Sequence, residues 1–358
     1  MLDGAARLKQ LVSRAEQLDM SALAVTDHGN MFGAYEFYKA AKGSSVKPII
    51  GLEAYLTPKT HRSERKRVQF GDGTGDDVAA KGAYTHMTIW AQHNEGMHNL
   101  FRLSSLSSLE GFFYKPRADR ELLNRYAKGL IGTTGCPSGE VQTYLRLGQY
   151  AQARESAAEF RDIFGAQNYF VELMDHGLDI ETRVRADLLR LAKDLQLPLV
   201  ATNDLHYVHA SDASDHDTLL CVSAGANKDT PNRFKFDGDG YYLKSPAEMR
   251  ALFSNLPEAC DNTLAIAERC ETSFDEGSGT YMPVFPVPAG ETESSWFERE
   301  VAAGLERRFR GDVPEYATKQ AAYEQDVIIG KGYAGYFLVV ADFINWAKRN
   351  GIPVGPGR

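Results

Sequence analysis

The sequence predicts an α/β fold: a mostly parallel sheet, open or closed into a barrel, followed by a smaller helical segment. Three observations predict it. Short apolar runs alternate with amphipathic helical stretches from Ala5 to Thr202. The number of those runs favours a barrel over an open sheet. Around Thr272 to Ser294 the composition turns polar and proline-rich, and helical patterning resumes near Trp296.

Each element has its own signal. Leu8, Leu11, Val12, Ala15 and Leu18 fall on one face of a helix between Ala5 and Leu18. Ala22 to Val25 is a short apolar run and reads as a buried strand. Phe32 to Ala41 reads as helix, Pro48 to Leu56 and Ala83 to Ala91 as strands, and Gly96 to Ser107 as helix. Gly129 to Thr134 is a further buried strand. A helix follows over Gln149 to Phe164, then a strand over Tyr169 to Leu173. Val184, Leu188, Leu191 and Leu195 make one more amphipathic helix, which Pro198 stops before the strand Leu199 to Thr202. Asp275 to Gly279 is polar, and Pro283, Pro286 and Pro288 interrupt regular structure. The expected organisation is therefore a first domain over 1–271, a crossover over 272–295 and a helical segment over 296–358.

Bulk properties bound the class. The chain has 358 residues, of which 43% are hydrophobic and 25% charged, a size that suits two domains or one large one. No run of eighteen apolar residues is present and the first residues lack a signal peptide's features, so no membrane span and a cytoplasmic location are expected. A net charge of −8 does not suit a simple duplex-binding module, which neutralises phosphates with lysine and arginine. The local basic cluster Lys59, Arg62, Arg65, Lys66 and Arg67 reads as a solvated, mobile loop, with a phosphate-attracting surface as the alternative. The stretch from Gly71 to Asp77 supports the loop reading. The four cysteines show no CxxC spacing. Cys221, Cys260 and Cys270 read as inert core residues, and Cys136 stands apart.

The informative pattern is where acids, imidazoles and this thiol fall. Asp27 and His28 follow the strand from Ala22. Glu53 lies in the strand from Pro48, and His86 lies early in the strand up to Ala91. Cys136 follows the strand ending at Thr134, and Asp204 and His206 follow the strand from Leu199. Five strands thus each deliver a metal-ligand type, most of them near the carboxyl end, where α/β barrels carry chemistry. Taken singly, each has a plainer explanation: a helix cap and surface histidine at Asp27-His28, a small buried residue in the turn Gly135 to Gly139. Asp204 and His206 are expected on one face of a strand. Glu53 is harder to dismiss, because a carboxylate in an apolar strand is rare unless paired or metal-bound. Together they point to zinc or manganese, with a thiolate favouring zinc, and to phosphoester hydrolysis. His61, His93, His98, His176, His209 and His216 read as solvated or locally hydrogen-bonded.

These segments resemble the polymerase-and-histidinol-phosphatase (PHP) domain as it opens the alpha subunit of bacterial DNA polymerase III, in its high-GC Gram-positive form. The stretches that carry the resemblance are Leu2 to Gly4, Ala24 to Met31, Lys47 to Tyr55, Thr133 to Glu140, Ala201 to Tyr207 and Asn232 to Phe236. The most diagnostic are Tyr336 to Phe343 and Gly351 to Arg358, which look like the approach to a polymerase palm. The resemblance implies a distorted barrel of seven β/α units with a metal site of nine ligands and up to three ions. Seven carry over: Asp3, His28, Glu53, His86, Cys136, Asp204 and His206. It implies that Glu53 bridges two ions with His86 and Cys136 on one, that Asp3, His28 and His206 hold a third, and that Asp204 joins Glu53 on the remaining one. Catalytic roles would fall to Asp204, His206 and Glu53, and Gly357 and Arg358 would begin a phosphate-holding loop.

The activity so implied is that of a DNA-directed DNA polymerase, a nucleotidyltransferase, with a 3′–5′ proofreading exonuclease in the PHP domain. Its cofactors would be Zn²⁺ or Mn²⁺ in the PHP site and Mg²⁺ in the polymerase site. Its partners would be DNA primer–template, dNTPs, a sliding clamp and a clamp loader. The alternative is a non-catalytic platform that docks a separate exonuclease. A stand-alone PHP phosphatase fits less well, since it has no use for the segment from Tyr336 to Arg358. Two departures matter. The family's His-x-His pair, a few residues before Leu-Asp-Gly, has no counterpart here, so the barrel is expected to lack its first strand. The family's catalytic aspartates lie beyond the position of Arg358, so the chain is expected to be a fragment at both ends.

Overall fold

In a computed structural model, which describes residues 3–71, 78–277 and 281–355, the chain divides into two compact units, Met1–Phe274 and Asp275–Arg358. Gly357 and Arg358 lie outside the described residues, as do 72–77 of the Gly71 to Asp77 stretch and Ser278 and Gly279 of the expected crossover.

The first unit is built by two periodicities. Helix α1 (Leu8–Gln17) buries Leu11, Val12 and Ala15, the stripe its spacing predicts, and α2 (Ala34–Ala41) buries Ala34, Phe37 and Ala41. Strand β1 (Ala22–Val25) pairs in parallel with β2 (Lys47–Leu56), Ala22 against Lys47 through Val25 against Ile50. Strand β3 (Thr85–Ala91) runs antiparallel to β2, and α3 (Asn94–Glu110) returns to a hairpin of β4 (Phe112–Phe113) and β5 (Lys115–Ala118). The end of β5 pairs in parallel with the end of β2. Helix α4 (Arg120–Tyr126) starts where the Asp119 carboxylate accepts the Leu122 N–H at 2.9 Å. Strand β6 (Leu130–Thr133) is antiparallel to β3. After α5 (Glu140–Arg146) and α6 (Tyr150–Phe164), β7 (Tyr169–Leu173) runs parallel to β6. Helix α7 (Asp179–Leu195) ends in a left-handed Gln196, and β8 (Leu199–Ala201) follows parallel to β7. Three helices close the unit: α8 (Ala213–Ala224), α9 (Pro246–Leu252) and α10 (Pro257–Arg269).

The sheet is mixed rather than mostly parallel. Among the described residues β1–β2, β2–β5, β6–β7 and β7–β8 are parallel, while β2–β3, β3–β6 and β4–β5 are antiparallel. Strand polarity is decided by neighbours distant in sequence, and the apolar run from Thr85 is compatible with either direction. The sheet order is β4-β5-β2-β3-β6-β7-β8, with β1 also on β2. Strands β1 and β8 do not pair with each other among the described residues, and both line a cleft of about 680 Å³. The result is a half-barrel with helices outside it.

Both sheet faces are buried, which is why the strands read as apolar runs. Alternate side chains divide between two apolar clusters. Ile50, Ile89, Leu130, Tyr169, Val171 and Leu199 join the large outer core with the helices. Ile49, Trp90, Ile131, Phe170 and Val200 face the other way and meet Ile266, Ala267 and Cys270 of α10 and its end. Along that second face polar residues follow the apolar ones toward the strand ends: Thr133 after Ile131, Glu172 after Phe170, Thr202 after Val200, and on β2 Glu53 beyond Ile49 and Gly51. On the antiparallel β3 the order reverses, Trp90 then Thr88 then His86. This is how an early residue of β3 reaches the same end of the sheet as late residues of its neighbours.

In the basic segment Lys59 to Arg67, Lys59, Arg65, Lys66 and Arg67 are exposed, as the solvated reading expects, and Arg62 departs from it. Arg62 is buried, donating from Nε to Glu110 at 2.7 Å and from Nη1 to Glu121 at 2.8 Å and Asp119 at 3.1 Å. Arg117, fully buried, donates to the carbonyls of Arg62, Glu64, Ala83 and Gly111 and so ties this segment to the hairpin. A guanidinium satisfies several otherwise orphaned carbonyls at once.

In the second unit α11 (Glu293–Phe309) begins at a capping box of Thr292 and Ser295. Helices α12 (Glu315–Gly330) and α13 (Ala334–Arg349) meet at 115°. Phe297, Ala334 and Leu338 form its small core. No single helix among the described residues is long and apolar enough to cross a membrane.

Candidate metal centre

The site grows from the ends of β1 and β2. Past Val25 the two strands keep a parallel relation: Glu53 N–H donates to the Asp27 carbonyl at 3.1 Å, and Gly29 N–H donates to the Glu53 carbonyl at 2.9 Å. His28 is thereby set beside Glu53. Gly29 has φ +63° and lies so close to Tyr55 that a Cβ would sit 2.7 Å from its ring, so the turn requires glycine. The Asp27 carboxylate accepts the Gly33 N–H at 2.6 Å and serves the turn before α2.

Seven side chains expected to bind metal come together here. His28 Nδ1 lies 2.9 Å from Glu53 Oε2, and its Nε2 lies 3.1 Å from Asp3 Oδ1. His86 Nδ1 is 2.5 Å from Glu53 Oε1. Cys136 Sγ is 3.6 Å from His86 Nδ1 and 3.9 Å from Glu53 Oε1. His206 Nε2 is 3.7 Å from Asp3 Oδ1, and its Nδ1 is 3.9 Å from Asp204 Oδ1. Two trios have donor atoms within 4.8 Å of one another: Asp3, His28 and His206, and His28, Glu53 and His86.

Asp204 and His206 are not on one strand face. Strand β8 ends at Ala201, and both residues stand in the loop beyond it, where Asp204 has φ +46°, an uncommon conformation outside glycine. Within this loop His206 Nδ1–H donates to the Asp204 carbonyl at 2.7 Å, which in the neutral imidazole makes Nε2 the lone-pair nitrogen, on the side toward Asp3. Phe236 and Tyr241 wall the His206 ring, with centroids at 4.6 and 6.0 Å. His216 is neither solvated nor locally bonded: it is buried and its Nε2–H donates to the Asp3 carbonyl at 2.7 Å. His176 lies between Glu181 Oε1 at 2.6 Å and the Asn203 carbonyl at 2.8 Å. His61 stands apart with Asp119 and Glu121, whose carboxylates Arg62 already binds.

The electrostatics call for positive charge. Burial disfavours the charged form of His28, but the carboxylates of Glu53 and Asp3 outweigh it and lift the imidazolium to about 11. Burial would raise Asp3, yet the hydrogen bond and charge of His28 hold it at about 2. Burial likewise opposes ionisation of Glu53, and His86 and His28 hold it well below the usual carboxylate range. Burial raises Asp204 and pushes the Cys136 thiol well up, with Glu53 adding to both. His28 Nδ1 is buried and, although 2.9 Å from Glu53, has no aligned hydrogen-bond partner. Ligand-type groups packed this closely around buried carboxylates suit a cation. Imidazole, carboxylate and thiol are the donor set of Zn²⁺, and without the thiol of Mn²⁺.

Sequence reasoning passed over Glu172, which also lines the cleft. Burial lifts its carboxyl to about 7 against the hydrogen bonds of Thr133 and Thr202. Its signal was the one that singled out Glu53, an acid inside an apolar strand.

Comparison with known proteins adds to this geometry. Residues 1–176 match the family model described as the PHP domain, and residues 295–358 match that described as the bacterial DNA polymerase III alpha NTPase domain. The DNA polymerase III subunit alpha of Mycobacterium leprae is 54% identical over all of this chain and 31% of its own length. That of Mycobacterium tuberculosis strain H37Rv is 53% identical over the same shares. That of Thermus aquaticus is 36% identical over all of this chain and 33% of its own. The chain thus spans about a third of the length of the curated relatives it matches.

Proposed function

Since the chain belongs to the DNA polymerase III alpha family, with a PHP domain followed by a polymerase segment, we propose that its first unit is a divalent-metal phosphodiesterase acting on the 3′ end of a DNA strand. The observation that carries this is the convergence of seven donors, six of them lining one open cleft and His86 beside Glu53. A bound Zn²⁺ or Mn²⁺ supplies Lewis acidity toward a phosphoryl oxygen and makes water nucleophilic at neutral pH. The chain's own residues do the rest. Asp3, His28 and His206 would hold one ion, His86 and Cys136 with Glu53 a second, and Glu53 with Asp204 the remaining one. Glu53 would bridge two of them, a role supported by its burial and its closeness to both His28 and His86. The His206 tautomer keeps Nε2 available as a ligand, and Phe236 and Tyr241 screen that ring from water.

In the whole protein the reaction would be DNA-directed DNA synthesis on primer–template with dNTPs and Mg²⁺, in the cytoplasm, with a sliding clamp and clamp loader as partners. The PHP unit would then proofread. The second reading, a platform that docks a separate exonuclease, is favoured by the ion pairing of His28 with Asp3 and Glu53, which holds the site together by itself.

The test pairs elemental analysis of the purified chain with hydrolysis of a 3′-labelled single-stranded oligonucleotide. We expect bound zinc or manganese and strand shortening, with Asp204→Asn and His206→Ala lowering the rate at least ~100-fold while circular dichroism is unchanged. Bound metal with no shortening would establish the platform reading. A folded chain without metal would overturn the metal centre itself.

A further inference from the structure

Strand β7 places one polar side chain on the cleft face, Glu172, and the reaction proposed above has no use for it as a ligand. It is 1% exposed and pairs with no cation among the described residues. Its oxygens are instead taken by hydroxyls from three other segments. Thr202 donates to Oε1 at 2.7 Å and Thr133 to Oε2 at 2.5 Å, with Thr88 at 3.5 Å from Oε1. Each threonine stands two or three residues from a proposed ligand: Thr88 from His86, Thr133 from Cys136, Thr202 from Asp204.

The path to Cys136 can be followed atom by atom. The Thr133 hydroxyl that donates to Glu172 also accepts the Gly135 N–H at 3.1 Å. Gly135 has φ +81°, and a Cβ there would lie 2.5 Å from the His86 carbonyl. His86 N–H in turn donates to the Ser138 carbonyl at 3.1 Å. The Cys136 turn and the His86 backbone are therefore crowded together, and the hydroxyl aligned by Glu172 sets the first amide of that turn. On the other side the Thr202 hydroxyl ties Glu172 to the loop in which Asp204 holds its left-handed conformation.

We propose that Glu172 is a positioning residue for the metal centre, pinning through Thr88, Thr133 and Thr202 the three segments that present His86, Cys136 and Asp204. A buried carboxylate without a cation is costly, and an apolar residue would fill this strand position more cheaply. Groups that orient ligands from behind typically change metal affinity 10–100-fold when removed. The proposal rests on the metal reading above, so its test carries a readout that needs no metal.

Zn²⁺ affinity of the chain is measured by competition with a chromophoric chelator for wild type, Glu172→Ala, Glu172→Gln and Thr202→Val. In parallel, alkylation of Cys136 by iodoacetamide is followed in EDTA by peptide mass spectrometry. Glu172→Ala is expected to weaken Zn²⁺ binding 10–100-fold and to change the Cys136 alkylation rate several-fold. Glu172→Gln, which keeps one acceptor oxygen, is expected to recover most of both. Wild-type affinity and wild-type alkylation in Glu172→Ala would overturn the proposal. Should that variant not fold, Thr202→Val decides by Zn²⁺ affinity: weaker binding supports the pin and unchanged binding overturns it. If wild type itself binds no Zn²⁺, the metal reading has failed, and the alkylation rate alone then decides, a change supporting the positioning role and no change overturning it.

Discussion

Glu53 and Glu172 occupy similar places, acids on the inner face of a buried strand, yet their surroundings drive them apart. Imidazoles beside Glu53 hold it ionised, whereas Glu172 meets only hydroxyls and burial lifts it to about 7. The folded state therefore keeps a proton on Glu172 that the unfolded chain releases near 4.5. Stability from this group is full below that lower value and is lost as pH rises through about 7. The expected loss is on the order of 3 kcal/mol. Urea unfolding in chelator at pH 5 and pH 8 measures it: Glu172→Gln, which cannot titrate, should shrink the difference by about this amount, leaving the part that His28, also raised above its free value, contributes in the same window. An equal pH response in variant and wild type would mean that Glu172 does not carry it.

At the scale of elements, caps and cross-ties decide which segments are ordered. Asp119 does two things at once: it caps α4 through Leu122 and binds the buried Arg62 guanidinium. Replacing it separates the two roles. Asp119→Asn keeps a cap and leaves Arg62 with Glu110 and Glu121, so a loss of about 1 kcal/mol is expected. Asp119→Ala removes both contacts and should cost about 2–4 kcal/mol, with faster amide exchange across the segment Arg62 anchors. Denaturant titration and hydrogen exchange read the two effects, and equal losses in both variants would refute the division. Arg62 is the one member of the basic cluster that composition misplaced, the other four staying exposed. Its charge looks solvated until the carboxylates of Glu110, Asp119 and Glu121, about fifty residues away, are folded against it.

For the whole molecule, the proposed ligands span Asp3 to His206 and, apart from Asp204 and His206 in one loop, come from separate segments, so only the folded first unit presents them together. Metal binding and folding must then be linked. At a free Zn²⁺ concentration one hundred times its dissociation constant, the first unit should gain about 2.7 kcal/mol, and its Tm should climb with the logarithm of zinc and fall with EDTA. A Tm indifferent to both would count against a site assembled by folding. Each unit has its own apolar core, the first built on both faces of the sheet and the second around Phe297, Ala334 and Leu338.

Periodicity alone determined most of the elements that carry the site. The strands Ala22 to Val25 and Tyr169 to Leu173 lie where their apolar runs place them, α1 and α7 follow their stripes, and α6 lies within the helix expected over Gln149 to Phe164. Residue type at strand ends picked out six of the seven proposed donors, because acids and imidazoles beside buried strands are chemically conspicuous; Asp3 came only through the family resemblance, and Asp27, equally conspicuous, serves the turn before α2 instead. Short unpatterned elements such as the β4–β5 hairpin and α4 were not legible, since two to seven residues hold too little periodic signal. Tertiary structure decided the direction of β3, which brings His86 to the right end of the sheet. It also decided the loop conformation of Asp204, the burial of Arg62 and the hydroxyl partners of Glu172. Each of these depends on groups brought alongside from tens of residues away, and only the folded chain makes them neighbours.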